Sequence, residues 1–126
     1  MDKSGIKGNM ALGNAIAYFT KEGYTVSIPL TYTQEYDLVV DIDGKLKKVQ
    51  CKFTSIKEKS GSYRIDVRVR GHKNVHGDYY CKMMDCNKVD YIYALTENMD
   101  SYFIPVKLFI GKQQLSLNNN YIEYKL

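Results

Sequence analysis

Asp37, Gln50 and Lys52 are the residues whose types and spacing point most directly to chemistry. Asp43-Gly44 is the kind of two-residue loop that favours a type I′ hairpin turn, and it separates two strand-like runs, Tyr36 to Ile42 and Leu46 to Phe53. Centring the turn on those two residues pairs Asp37 with Gln50 and Glu35 with Lys52. Side chains alternate along a strand, so Gln50 and Lys52 share one face while Val49, Cys51 and Phe53 turn the other way into apolar packing. Directly opposed Cβ atoms in a hairpin lie about 4.5–5.5 Å apart, within reach of one small cation held between a carboxylate and an amide oxygen, a site that suits Mg²⁺. A lysine two residues on can hold or deprotonate a water, or offset charge growing on a phosphoryl oxygen, which is what phosphodiester hydrolysis requires beside a metal. The plainer alternative is a solvated carboxylate at a strand start and a surface ion pair between Glu35 and Lys52 that is worth little. Gln50 weighs against it, because a polar residue in the middle of a hairpin needs a partner.

The elements that must position these residues are legible from periodicity. Met10 to Glu22 places Leu12, Ala15, Ile16 and Phe19 three and four apart and stops at Gly23, which predicts one amphipathic helix. Tyr24 to Leu30 alternates and ends near Pro29, as a first strand. The hairpin follows, then expected strands over Tyr63 to Arg70, Val89 to Thr96 and Ser101 to Ile104, a helical turn over Val106 to Ile110, and a tail, Asn118 to Leu126, that could add an edge strand. With 126 residues, 44% hydrophobic and 25% charged, the expectation is one α+β domain spanning 1–126, its N-terminal helix packed on a mixed, mostly antiparallel sheet. No apolar run approaches the length of about 18 residues that a membrane span needs, and residues 1–9 lack the apolar stretch of a signal peptide. Three cysteines argue against a disulfide framework and for a reducing cytoplasm.

The net charge of +4 is modest, but it is concentrated. Ile56 to His76 holds Lys57, Lys59, Arg64, Arg68, Arg70 and Lys73 against Glu58 and Asp66, and it contains all three arginines of the chain. In Tyr63 to Arg70 the odd positions are apolar or aromatic and the even ones are Arg64, Asp66, Arg68 and Arg70. One face packs; the other offers guanidinium groups either to solvent or, as a β-ribbon, to the major groove of DNA. His72, His76, Cys81 and Cys86 have spacings a zinc site could tolerate but lack the tight C-x2-C pairs of common zinc modules, so structural zinc is not expected. The 12 tyrosines fall mostly at alternating strand positions, where packing accounts for them.

Tyr36-Asp37, twelve intervening residues, then Gln50-Cys51-Lys52 resembles the PD-(D/E)XK nuclease signature in its Gln-x-Lys variant. The order helix, Gly23-Tyr24, strand ending at Pro29, Tyr36 to Val40, Asp43-Gly44 and Val49 to Lys52 is similar to a small branch of that superfamily containing intron-encoded homing endonucleases and phage or mobile-element proteins. Val89-Asp90-Tyr91 and Tyr102 to Pro105 resemble its C-terminal part, so the similarity covers nearly the whole chain. The resemblance implies a restriction-endonuclease-like core, with Asp37 as principal metal ligand, Gln50 as second ligand or orienter, the Cys51 backbone carbonyl as a third, and Lys52 as the catalytic lysine. One feature departs from it: many relatives carry a glutamate on the first helix, and residues 7–21 contain no acid. Glu35 and Asn14 are the candidates to assist Asp37.

The resulting expectation is a Mg²⁺-dependent endonuclease, with Mn²⁺ as the substitute ion and no small-molecule cofactor, in a homing or mobile-element setting. It would bind duplex DNA through Lys57, Lys59, Arg64, Arg68, Arg70, His72 and Lys73, in a prokaryotic, phage or organellar compartment. The alternatives are a resolvase acting on four-way junctions and a DNA-binding module that has lost cleavage. Cutting both strands in one encounter needs two catalytic sets, so a symmetric dimer or dimer of dimers is expected, with Tyr91, Tyr93, Phe103, Leu108 and Phe109 as the apolar contact surface.

Overall fold

The computed structural model describes residues 3–72 and 79–126. Helix α1, Lys3–Lys21, buries Ala11, Ala15 and Phe19 and ends before Gly23, whose φ of 87° only glycine adopts without strain. It begins earlier than the apolar pattern predicts. The added turns are exposed from Gly5 to Met10, and they extend a nucleus already paid for by the packed segment.

The main sheet contains β1 (Thr25–Ser27), β2 (Leu38–Ile42), β3 (Lys45–Thr54), β8 (Tyr91–Thr96) and β9 (Ser101–Pro105), in the order β1-β2-β3-β8-β9. Only β3 and β8 run parallel; the other pairs are antiparallel, so the sheet is mixed and mostly antiparallel as expected. The hairpin register is the one the turn dictates, from Ile42 opposite Lys45 to Leu38 opposite Val49. Asp43 and Gly44 have φ of 53° and 84°, the doubly positive geometry of a type I′ turn.

The sheet is buried on both sides. On one, α1 covers Leu38, Val40, Val49, Cys51, Tyr93 and Leu95. On the other, Ile92, Ala94 and Ile104 pack against Ile65, Val67, Phe109 and Leu115. Strand β8 contributes to both cores, which is why it reads as a continuous apolar run. The second core is roofed by a small sheet of β4 (Ile56–Lys57), β5 (Tyr63–Asp66) and β10 (Gln114–Leu117), in the order β10-β5-β4. Beside it stands a hairpin of β6 (Val69–His72) and β7 (Tyr79–Lys82).

Three expectations change. The strand expected over Tyr63 to Arg70 is broken at Val67 and Arg68, because the Asp66 carboxylate accepts the Arg68 N–H at 2.8 Å and takes it out of a ladder. The tail forms a 3₁₀ turn, Asn119–Tyr124, started by the Asn118 side chain, and only Lys125 bridges to Tyr102; the strand in this region is β10, upstream. Of the expected contact surface, Tyr93 and Phe109 are core residues, and the rings of Tyr91 and Phe103 stack on each other at 4.1 Å. Tyr93 and Phe109 are thus withdrawn from any contact surface, Tyr91 and Phe103 stay half-buried, and Leu108 and Ile110 are exposed. Among the described residues no helix is long and apolar enough to cross a membrane.

Candidate active site

Asp37 lies one residue before β2, where the strand can no longer supply a carbonyl to β3. Its N–H donates to the Val49 carbonyl at 2.8 Å, and its Oδ2 accepts the Cys51 N–H at 2.7 Å. The carboxylate thus continues the ladder with a side chain, which anchors one oxygen and leaves Oδ1 for another partner. In a hydrogen-bonded strand the N–H and C=O of one residue leave the same edge, so the Cys51 carbonyl faces the edge where Asp37 sits. Burial holds the Asp37 carboxyl above the usual carboxylate value, while the Cys51 N–H and the Lys52 ammonium pull it down. The Cys51 side chain points to the helix side, as alternation requires, and burial pushes its thiol far up.

Lys52 leaves β3 on the face away from α1, with Gln50 two residues before it. Its Nζ donates to the Arg68 carbonyl at 2.5 Å. Burial pushes the ammonium below its ordinary value, against the attraction of Asp66 and Asp37, which raises it. Among the described residues one of its three donors is spent on a backbone oxygen and the other two have no partner. The same face holds Thr54, whose hydroxyl donates to the Arg64 carbonyl at 2.5 Å, so β3 is fastened both to β5 and to the segment that follows it.

The arginines are not three free cations. Arg64 is half-buried on β5; Arg68 and Arg70 both grip Asp66, through Nη2 at 2.8 and 2.7 Å. The Arg68 guanidinium, first among several donors, holds the Asp66 carboxyl well below the usual range. Lys57 is exposed on β4 with its ammonium 5.3 Å from the Tyr63 ring centroid, and Lys59 is exposed in the following turn. His72 ends β6, while Lys73 and His76 lie outside the described residues. Cys81 and Cys86 are exposed, and no metal-binding cluster of His, Cys and acids occurs among the described residues.

Both proposed helpers are engaged by other groups. The Asn14 amide oxygen accepts the Tyr93 hydroxyl at 2.5 Å, within the helix-side core. Glu35 is not opposite Lys52: β2 begins only at Leu38, and the preceding segment turns Glu35 into a buried position where its Oε2 takes Lys82 and Lys88, each at 3.1 Å. Its Oε1 is buried with no hydrogen-bond partner among the described residues.

The family model described as PD-(D/E)XK endonuclease matches residues 3–122. The chain belongs to the PD-(D/E)XK endonuclease family. Among solved structures it is similar to a bacterial homing endonuclease, I-Ssp6803I, with 28% identity and a TM-score of 0.81 over 98% of this chain and 89% of that one. A second likeness, to MepB, has 14% identity and a TM-score of 0.41 over 100% of this chain and 97% of that one, too low to bear on the argument. A comparison with curated proteins finds no match. Within this PD-(D/E)XK nuclease, the fold brings Asp37, the Cys51 backbone and Lys52 to one end of the β2–β3 hairpin. Sequence reasoning missed two parts of that arrangement, the Arg68 carbonyl that holds Lys52 and the Asp66 grip on Arg68. The second had a signal: an acid two residues before an arginine in an otherwise basic strand face.

Proposed function

We propose that this PD-(D/E)XK nuclease is a divalent-metal-dependent endonuclease that hydrolyses phosphodiester bonds in duplex DNA, in a homing or mobile-element role. The observation that carries the reading is the junction at Cys51: Asp37 is fixed to its N–H at 2.7 Å, and the next residue, Lys52, carries a buried ammonium fixed at Arg68. The second support is the likeness to a bacterial homing endonuclease along almost the full length of both chains.

The donors fit a hard cation. Asp37 offers a free carboxylate oxygen, Gln50 an amide oxygen and Cys51 a backbone carbonyl, all oxygen ligands of the kind Mg²⁺ or Mn²⁺ prefers. A buried carboxylate held above its usual pKa also gains from a neighbouring cation, which restores its charged form. When bound, the ion would supply Lewis-acid stabilisation of the phosphoryl oxygens and an activated water. Asp37 orients the site by keeping one oxygen on Cys51. Lys52, with donors to spare and an ammonium weakened by burial, can hold a water for in-line attack or neutralise a phosphoryl oxygen. Arg64, Arg68, Arg70, Lys57 and Lys59 form the basic side that would meet the DNA backbone, with Lys73 and His72 assigned to it from the sequence. A homo-oligomer would supply the second catalytic set that a double-strand cut requires.

The test is cleavage of supercoiled and linear duplex DNA with Mg²⁺, with Mn²⁺ and with EDTA. Metal-dependent cutting of duplex supports the reading; preferential cutting of four-way junctions makes the protein a resolvase, and binding without cutting in any metal makes it a DNA-binding relative. Light scattering on the free protein and its DNA complex tests the assembly, and a monomer in both that still makes double-strand breaks at stoichiometric enzyme overturns it.

A further inference from the structure

Lys52 depends on a backbone carbonyl one residue outside a β-ladder, since β6 begins only at Val69. Its Nζ rests on the carbonyl of Arg68, in the two-residue break between β5 and β6. The Arg68 carbonyl is the acceptor the fold gives this half-buried ammonium, so the position of that carbonyl guides the position of the amine. Three contacts hold the break. The Val67 N–H donates to the Gln113 carbonyl at 3.0 Å, and the side chains of Val67 and Val69 are buried. The third contact is Asp66. Its Oδ1 accepts the Arg68 backbone N–H at 2.8 Å and Nε at 3.2 Å, and its Oδ2 accepts Nη2 of Arg68 at 2.8 Å and Nη2 of Arg70 at 2.7 Å. A carboxylate gripping guanidinium groups alone would be an ordinary surface ion pair. Here the same residue, Arg68, has its N–H held by Asp66 and its C=O held against Lys52, so the two peptide units that meet at the Arg68 Cα link the two.

We propose that Asp66 is a positioning residue for Lys52, acting through the Arg68 backbone: the carboxylate fixes the Arg68 N–H and with it the backbone angles of Arg68, and the Arg68 carbonyl sets the ammonium. The inference rests on the nuclease reading for its activity consequences only; the coupling of Asp66 to Lys52 is a property of the folded chain. Backbone positioning and charge make opposite demands on substitution. Asp66→Asn keeps an acceptor at Oδ1 for the Arg68 N–H but loses the charge. Asp66→Glu keeps the charge and both arginines within reach but carries the oxygen one methylene too far for the local bond to the residue two ahead.

Two measurements test this on the full chain. In ¹⁵N-lysine spectra a hydrogen-bonded ammonium exchanges slowly enough to be observed, and the Lys52 signal is assigned by its loss in Lys52→Arg. That signal is expected to persist in Asp66→Asn and to broaden or disappear in Asp66→Ala and Asp66→Glu. In single-turnover cleavage at saturating duplex, Asp66→Glu and Asp66→Ala are expected to slow the cut by about 10- to 100-fold, as a misplaced catalytic group does, with Asp66→Asn losing less and DNA affinity undiminished in all three. A purely structural role would instead lower the melting temperature without changing the rate of the folded fraction. If Asp66→Glu matches wild type while Asp66→Asn does not, or if the Lys52 signal is the same in all variants, the positioning role is overturned. Should Asp66→Ala fail to fold, the Glu and Asn variants alone decide. A wild-type protein that cuts no DNA refutes the nuclease reading, and the spectra still decide the coupling.

Discussion

Replacing Asp37 separates its two duties, because the structure gives one carboxylate oxygen to the backbone and leaves the other for a cation. Asp37→Ala removes both. The lost interaction with the Cys51 N–H is a charge-assisted hydrogen bond at 2.7 Å, worth about 1.5–3 kcal/mol, part of it the cost of leaving a half-buried donor unpaired. Unfolding entropy of about 2.1 cal/mol/K per residue over the 126 residues gives about 0.26 kcal/mol per degree, so the melting temperature should fall by about 6–11 °C. Asp37→Asn keeps an oxygen for Cys51 and is neutral. The folded-state pKa of Asp37 lies above its ordinary value, so ionising it costs stability as pH rises from the unfolded pKa through the folded one, and the cost is complete above the folded value. The neutral amide escapes it, and Asp37→Asn should therefore melt close to wild type in EDTA. Both variants should lose cleavage, and both should lose the stabilisation that Mg²⁺ gives wild type, which is about 2.7 kcal/mol when the ion stands at 100 times its dissociation constant. Differential scanning fluorimetry across pH 5–8 with Mg²⁺ or EDTA measures all of this. An equal Mg²⁺-induced rise in wild type and Asp37→Asn would show that Asp37 does not touch the ion; an Asp37→Ala protein as stable as Asp37→Asn would show that the bond to Cys51 carries nothing.

Lys52→Ala should abolish cleavage with little change in DNA affinity, read by gel shift beside a cleavage assay, and Gln50→Glu should lower the Mg²⁺ concentration for half-maximal stabilisation by adding a carboxylate to the site. Loss of Arg64, Arg68 or Arg70 should flatten the dependence of log affinity on log salt by about one unit per phosphate contact, and unchanged slopes would return that face to solvent. Cys81 and Cys86 should be alkylated rapidly at pH 8 and Cys51 only on unfolding, since Cys51 is buried with its thiol pushed far up; mass spectrometry of iodoacetamide-treated protein checks the order.

The hairpin turn and its register from Ile42 back to Leu38 were legible because their determinants are local: a turn that needs two positive φ values and an alternation that allows one register. The helix and β8 were legible for the same reason. Short strands such as β4 and β7 carry too few residues for a period, and β10 is placed by its pairing with β5, a contact the sequence does not advertise. The break after Asp66 overrode a clean alternation because one side-chain bond outcompeted a ladder position at the edge of the roof. Glu35 shows the same limit of local reasoning. Extending the hairpin register backward set it opposite Lys52, but the strand stops at Leu38, and the carboxylate is claimed by Lys82 and Lys88 from segments far along the chain.

The charge arrangement gives the proposed site its character. With Asn14 tied to Tyr93, Glu35 tied to two lysines and Gln50 neutral, Asp37 is left as the carboxylate for the metal, and Lys52 places an ammonium on the residue next to Cys51. A divalent ion held by one carboxylate and neutral oxygens is held weakly, since affinity in such sites rises with the number of charged ligands. A scissile phosphate adds a second anion at the same place. Ion and DNA must then favour each other's binding, and by linkage each strengthens the other by the same factor. On the proposed reading the weak ligand set would act as a condition on the chemistry: an ion would be firmly bound only where a phosphate is already in position, with Lys52, on the Arg68 carbonyl, beside it.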